Sequence, residues 1–375
     1  MKIGIDATWL KPEKSGGVEA FFKNVMDGLI KLKDENEYVL FVAKDNAEYL
    51  SKYFNDNRIK YVICNTYAFK VKQHLIWQNL FQYNILKKNN IKICFFPVYE
   101  MPIYKCRKIK CITTIQDIQA YHYPEFFSKF ENIWFRIAWQ RVLDVADKVV
   151  TTTEYTKQDI MKNFRHKNNI EMIHIPVVLK DNEMEEISKL EKKYNITKKE
   201  YYYTVCSMHK HKNLISLIKT LKRIKDKQID NIPTKLVISG VGGPNKEKLL
   251  QEIKEMGIEE NIVITNFVSN AERNSLMKNC NVFLFSSIFE GFGIPPVEAM
   301  ELGAKVITTK CTSLPEVTKE KCYYVEDPFS EDEWIKQIIN AQNKNSEIIN
   351  FEEYKETKIA KKYLQLFYQL AKLEK

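Results

Sequence analysis

The sequence predicts an α/β protein made of two doubly wound parallel-sheet domains in tandem. Three observations carry this. The chain is 375 residues long, beyond the ~250 residues at which a single hydrophobic core usually stops growing. Short strand-forming runs alternate with helix-period stretches in two separate series, as in sheets covered by helices on both faces. Between the series, LKDNEMEEISKLEKKYNITKKE (179–200) is polar and charged and holds no strand-forming run.

The first series opens with KIGIDATWL, a short buried strand. A loop with Ser15-Gly16-Gly17 follows, then an amphipathic helix from about Val18 to Lys31. Strand-like runs recur at YVLFVA (38–43), KYVICN (60–65), IKICFF (91–96), CITTIQD (111–117), KVVTTT (148–153) and EMIHIP (171–176), with helix-period stretches at 71–88 and 131–146. The second series has strands at YYYTVCS (201–207), LVISGV (236–241), NIVITNF (261–267), NVFLFSS (281–287), KVITT (305–309) and CYYVE (322–326). Helices are expected at 212–227, 244–256, 271–279, 296–302 and 331–342. This gives an N-terminal domain over 1–180 and a C-terminal domain over 181–350. The last stretch, 351–375, reads as one aromatic-bearing amphipathic helix that packs back on the first domain. In doubly wound sheets ligands bind beyond the carboxyl ends of the strands, so the cleft between two such domains is the expected site.

Hydrophobic residues are 45% of the chain, charged residues 28%, and 41 residues are Phe or Tyr. That excludes disordered and collagen-like classes. No apolar run approaches the ~18 residues of a membrane span, and the N-terminus lacks the apolar stretch of a signal peptide. A cytoplasmic location follows as the expectation. The net charge of +10 is one-sided: residues 1–180 hold 28 Lys and Arg against 19 Asp and Glu, residues 181–375 hold 30 against 29. Such an excess suits an anionic membrane, an anionic substrate, nucleic acid or a plain solvated surface. The eight cysteines form no CxxC pair and the six histidines no HExxH or HxH spacing. No Asp-x-Asp is present to hold a divalent cation. Neither a metal site nor a disulfide framework is expected.

The chemistry-bearing segment is Phe285-Ser286-Ser287-Ile288-Phe289-Glu290-Gly291-Phe292-Gly293-Ile294-Pro295-Pro296-Val297-Glu298-Ala299-Met300. It reads as strand, glycine turn and helix start. Pro295 and Pro296 suit a first helical turn, whose N–H groups have no partner inside the helix. Gly291 and Gly293 let the backbone approach a ligand closely. The N–H groups of Gly293 and Ile294, with the positive end of the helix, then make an anion site for a diphosphate. Glu290 and Glu298, seven residues between them, flank it. A carboxylate can take both hydroxyl protons of a vicinal diol, so one Glu suits a ribose and the other a hexose. Singly, each reads as an ordinary loop or helix-start acid; together they point to a nucleotide sugar.

The run FEGFGIPPVEAMELGAKVITTKCTSLPEV (289–317) resembles the glutamate-pair signature and following strand of the family-4 glycosyltransferases. The similarity extends to IGIDATWL and SGGVEAF near the start, TTIQDIQAYHYPEFF (113–127), DKVVTTTEYTKQDI (147–160) and HKHKNLISLIKTL (209–221). It implies a GT-B architecture, two Rossmann-like domains facing across a cleft. It also implies retaining transfer of a sugar from a nucleotide diphosphate sugar, with no metal and no cofactor. By position, Glu290 would contact the donor sugar, Glu298 the ribose, and the backbone of Gly291, Phe292, Gly293 and Ile294 the diphosphate. Lys212 matches a lysine on the diphosphate, where an ammonium stabilises the leaving group's growing charge. Gly16 and Gly17 match the loop at the reaction centre and join the donor-binding set with Ser207. Asn213 reads as a helix cap.

The chain departs from the pattern at two places. Gln116-Asp117 stands where many relatives have His-Asp. Glutamine hydrogen-bonds a sugar hydroxyl but shuttles no proton near neutral pH. Gln116 is therefore expected to bind at the reaction centre, with Asp117 on the acceptor side. Relatives often carry arginine near Ser207 and glycine near Cys206; His209, Lys210 or His211 would replace that cation, or form a solvated loop. The resemblance favours GDP-mannose as donor and a glycan or lipid-linked saccharide of bacterial surface polysaccharide as acceptor. Basic and aromatic residues at 69–88 and 104–110 suggest contact with the cytoplasmic face of an anionic inner membrane. A noncatalytic binding subunit is the alternative, and a nucleic-acid-binding protein a remote one, because no nucleic-acid motif accompanies the charge.

Overall fold

The computed structural model describes residues 1–179, 184–240, 246–342 and 344–372. It divides into two compact units, Met1–Val177 with Glu352–Lys375, and Val178–Phe351. The expected junction at 180/181 lies outside the described residues.

The first unit holds seven parallel strands: β1 (Lys2–Asp6), β2 (Glu37–Val42), β3 (Ile59–Ile63), β4 (Ile93–Phe96), β5 (Lys110–Ile115), β6 (Lys148–Thr151) and β7 (Ile170–Met172), in the order β3-β2-β1-β4-β5-β6-β7. The order reverses between β1 and β4, where Ile3 pairs with both Tyr38 and Ile93. Strands buried on both faces need apolar residues at consecutive positions, and Ile93–Phe96 is buried throughout. One side of the sheet packs Phe96, Ile115, Trp139, Val142 and Leu143 into a single core.

The helix Gly16–Lys31 begins two residues earlier than expected, so Gly16 and Gly17 form its first turn rather than a loop before it. Gly16 enters with φ +55°, a conformation open to glycine. The C-terminal helix Glu356–Lys372 belongs to this unit and lies against Gly16–Lys31. Gly28 permits the approach: a Cβ there would meet the Glu356 carbonyl and sit 2.8 Å from Ala360 Cβ. Tyr363 and Phe367 then reach Phe95 of β4, with ring centroids 5.0 and 6.0 Å away.

The stretch 71–88 is helical throughout, but Gln78–Gln82 forms a π turn between Val71–Trp77 and Tyr83–Lys88. Such turns re-phase the faces of a helix. The helix Lys129–Val145 starts with a reciprocal capping box between Ser128 and Glu131.

The second unit repeats the plan with β8 (Tyr202–Val205), β9 (Leu236–Ser239), β10 (Ile262–Asn266), β11 (Val282–Phe285), β12 (Val306–Thr309) and β13 (Tyr323–Val325), in the order β10-β9-β8-β11-β12-β13. Here the order reverses between β8 and β11. Helices Leu214–Asp226 and Glu331–Gln342 cover one face through Leu217, Ile218, Leu221, Trp334 and Ile338. Residue 241 of one expected strand and residues 244 and 245 of one expected helix lie outside the described residues. Both units thus show the Rossmann strand order predicted for the fold class. Among the described residues no helix is long and apolar enough to cross a membrane.

Candidate active site

In a doubly wound sheet the strands diverge where their order reverses, leaving a crevice at their carboxyl ends. In the second unit that point lies after β8 and β11. Ser207 and the 3-10 turn Lys210–Lys212 follow β8; Ser286 to Glu290 follow β11. The two segments are stitched together. Ser286 Oγ donates to the Lys212 carbonyl at 2.8 Å, Ser287 Oγ to that of His211 at 3.1 Å, and the Ile288 N–H to the same carbonyl at 2.8 Å. This fixes Lys212, whose ammonium lies 2.5 Å from Glu290 Oε1 and 5.6 Å from the Phe285 ring centroid. Burial holds the neighbouring His211 neutral, its pKa lowered to about 4, with Lys212 adding to the effect.

Glu290 is fixed from the other side by the turn after β12. Its N–H donates to Thr312 Oγ1 at 3.0 Å, and its carbonyl accepts from Ser313 Oγ at 2.8 Å. Ser313 also reaches the Phe292 carbonyl at 3.2 Å. Gly293 then takes φ +91° and the helix Ile294–Glu301 begins, with proline in its first turn. A Cβ on Gly293 would lie 2.6 Å from Leu314 Cδ2, so glycine is required twice over, by conformation and by space. In this first turn only Gly293 and Ile294 carry an N–H, since Pro295 and Pro296 have none, and such groups find no partner inside the helix.

Glu298 lies within that helix and is 5% exposed. Burial raises its pKa, opposed by Arg273, which donates from Nη2 to Glu298 Oε1 at 3.0 Å. Arg273 sits on the helix Asn270–Asn279, anchored by a Ser269–Glu272 capping box, and its Nε is a buried donor without a protein partner. Asn213 occupies the N-cap position of Leu214–Asp226 but makes no side-chain capping bond. Its amide instead donates to the Pro328 carbonyl at 3.0 Å, and its Oδ1 accepts from Ser216 Oγ at 2.9 Å.

In the first unit Gln116 and Asp117 follow β5. The Gln116 carbonyl accepts from Thr152 and Thr156 hydroxyls at 3.1 and 3.2 Å. Asp117 Oδ1 accepts from the Gln119 N–H at 2.9 Å, shaping the loop. A pocket of about 200 Å³ opens here, lined by Gln116, Asp117, Gln119 and the rings of Tyr99, Phe135 and Trp139. Gln116 Nε2, Gln119 Nε2 and Trp139 Nε1 are buried donors without a protein partner. At the end of β1, buried Asp6 accepts from Thr8 Oγ1 at 2.7 Å, and that hydroxyl lies 2.9 Å from His74 Nε2. Burial pushes the Asp6 carboxyl up to about 7 and holds His74 neutral, down to about 4.

Two protein-family models match the chain one after the other. The model described as Glycosyltransferase Family 4 covers residues 15–181, and that described as Glycosyl transferases group 1 covers 186–358. The chain belongs to the glycosyltransferases that these models describe. This glycosyltransferase is 24% identical over 322 residues to the O-antigen chain mannosyltransferase RfbU of Salmonella typhimurium, with 84% of each chain aligned. It is also 24% identical over 216 residues to the O-antigen chain mannosyltransferase B of Escherichia coli, covering 56% of this chain and 55% of that one. Among solved structures, the Anabaena HepE protein in complex with UDP and glucose superposes with a TM-score of 0.70 at 15% identity, over 98% of this chain and 100% of that one. A Thermosynechococcus elongatus sucrose-phosphate synthase gives 0.74 at 14% identity over all of both chains. These likenesses show the GT-B fold class.

Within this glycosyltransferase the structure brings Lys212, Glu290, Gly291, Phe292, Gly293 and Ile294 into one contiguous neighbourhood at the second switch point. Gln116 and Asp117 lie in the first unit, as do Gly16 and Gly17 at the start of their helix. The sequence reading missed Arg273, Thr312 and the place of Trp139 in the pocket lining. Ser313 stood in plain view in the SLPEV run. Arg273 had no signal: its partner is 25 residues away and the contact is purely tertiary.

Proposed function

We propose that this glycosyltransferase moves a hexose from a nucleotide diphosphate sugar, GDP-mannose first, to a free or lipid-linked saccharide of bacterial surface polysaccharide. The observation that carries the reading is the convergence of a cation, a carboxylate and an uncapped helix start at one switch point. Donor roles follow by chemistry. The helix start and Lys212 receive the diphosphate, Glu290 the sugar hydroxyls and Glu298 the ribose diol. Ser207, Gly16 and Gly17 complete the donor set. Lys212 and Glu290 neutralise each other without ligand, and the diphosphate would take over the ammonium. The mannosyl donor and the polysaccharide setting are supported by the names of the O-antigen mannosyltransferase relatives.

The acceptor reading rests on the pocket beside Gln116. Buried donors left unpaired cost free energy, so three of them around aromatic rings favour an oxygen-rich ligand such as a sugar. Asp117 lies on this acceptor side. No metal or cofactor enters the reading, because Lys212 and the helix start supply the positive charge. Retention follows if the acceptor oxygen attacks the anomeric carbon on the face the diphosphate leaves. The C–O bond to phosphate breaks, and the departing phosphate oxygen takes the acceptor's proton. Gln116 then binds and orients without titrating.

Calorimetry with UDP, GDP, ADP, dTDP and CMP in metal-free buffer tests the donor site. One diphosphate should bind, and Glu298→Ala should weaken it at least tenfold. No binding by any would overturn the reading in favour of a noncatalytic subunit, the alternative that Gln116 and Ser207 favour by replacing His and Arg. An inverted product anomer by NMR would remove the retaining step alone.

A further inference from the structure

We infer that the first unit docks on an anionic bilayer through one two-helix face, which brings a lipid-phosphate-linked acceptor to the aromatic pocket beside Gln116. The acceptor half rests on the reading above; the docking half stands without it.

The helix Lys129–Val145 carries apolar residues on both sides. Phe135 and Trp139 turn inward and line the pocket with Gln116. Phe130, Ile133 and Ile137, at positions i, i+3 and i+7, turn outward and are 77%, 61% and 50% exposed. Helix 71–88 likewise exposes Ile76, Leu80 and Phe81. Ile103 joins the two. Its N–H donates to Asn79 Oδ1 at 2.9 Å, and its carbonyl accepts from the Arg141 guanidinium, so it is held between the helices with its own side chain exposed. Leu75, Asn79, Trp134 and Arg141 line the crevice beneath. Seven exposed apolar side chains therefore lie on these two helices and the Ile103 segment that joins them, where soluble monomers scatter such residues singly. Ile76 and Phe81 also line a cavity of about 370 Å³ with Asn65 and Gln73.

The charge around this surface selects the occupant. Segments 69–88, 100–110 and 129–141 contain eleven Lys or Arg against two acids, Glu131 and Glu100, the latter in the crevice between the helices. Glu131 is already engaged by Ser128 in the capping box, at 2.7 Å to the hydroxyl and 2.9 Å to the N–H. Lys70, Lys72, Lys87, Lys88, Lys105, Arg107, Lys108 and Lys129 are exposed. Amphipathic helices with aliphatic and aromatic residues on one face and lysines beside it lie in the headgroup region of anionic membranes. A protein partner burying this face would have to match unopposed positive charge along its full length. A bilayer does so without specific pairing. Docking on this face sets the inward side of the same helix, and the pocket it lines, next to the lipid headgroups.

The test uses the full chain and sedimentation with vesicles of phosphatidylglycerol and phosphatidylcholine, against phosphatidylcholine alone. Binding is expected only with the anionic lipid, weakening as salt rises. The variant Leu80→Asp/Ile133→Asp/Ile137→Asp should bind at least tenfold less, and Lys105→Glu/Arg107→Glu/Lys108→Glu should also lose binding. All these positions are exposed, and an unchanged urea midpoint of the first unit, which holds all of them, shows that each variant is folded. Absent binding to anionic vesicles, undiminished binding by the variants, or a dimer that the triple-Asp variant dissociates would overturn the docking. Vesicle binding without transfer to a lipid-linked acceptor would leave docking intact and overturn the acceptor half. Transfer to a lipid-linked acceptor without vesicle binding would do the reverse.

Discussion

Glu298 is buried deeply enough to oppose its own ionisation, and only Arg273 works the other way. An ionised carboxylate accepts two hydroxyl protons from a ribose diol, whereas a protonated one must donate a hydrogen itself. Arg273 is thus a positioning residue for the donor site. Removing it gives up a charged hydrogen bond of about 1.5–3 kcal/mol, so Arg273→Met should raise the nucleoside diphosphate Kd about tenfold or more at pH 7. The pH profile separates this from general damage. Without the cation the Glu298 pKa rises further, so affinity in Arg273→Met should climb as pH rises above the ordinary carboxylate range. Wild type and Arg273→Lys, where the cation holds the raised pKa lower, should complete that climb at lower pH. A parallel, pH-independent loss by calorimetry would assign Arg273 a structural role only. The Glu290–Glu298 pair was readable because both residues lie in one short segment. Arg273 was not readable, because its neighbours Glu272 and Asn274 spell an ordinary polar helix.

Helix contact sets the behaviour of Gly28. In an exposed helix, Gly→Ala adds about 1 kcal/mol of stability. Here the new methyl would press on the Glu356 backbone carbonyl and on Ala360, and backbone yields poorly. Overpacking costs about 1–3 kcal/mol, so the sign should invert. Gly28→Ala is expected to lower the urea midpoint of the first unit; a raised midpoint would show that the helix Glu356–Lys372 shifts freely. Strands were the most legible elements, since parallel strands buried on both faces appear as unbroken apolar runs such as VFLF at Val282–Phe285. The helices Ala47–Tyr53 and Ile187–Tyr194 escaped notice for the opposite reason. Each buries one residue, Leu50 or Leu190, and one residue makes no stripe. The π turn at Gln78–Gln82 was also hidden, because buried glutamines leave no apolar period to follow.

The chain leaves its first unit at Val177 and returns at Glu352, so the second unit is an insertion within the first. Composition pointed to the outward crossing, through the charged run after 178. The return was legible from the aromatic period of the last helix, whose Tyr363 and Phe367 complete the packing on Phe95. Each unit has its own core, one around Trp139 and Phe96, the other around Trp334 and Leu217. The proposed donor groups Lys212, Glu290 and Glu298 all belong to the second. A ligand that binds only the native form stabilises what it binds, by about 2.7 kcal/mol at a hundredfold excess over Kd. Scanning calorimetry should therefore resolve two transitions, of which the nucleoside diphosphate raises one. Gly28→Ala should lower the other, which identifies it independently as the first unit. A single transition raised as a whole by nucleotide and lowered as a whole by Gly28→Ala would mean that the two cores unfold together, and the donor site would then stabilise the entire chain.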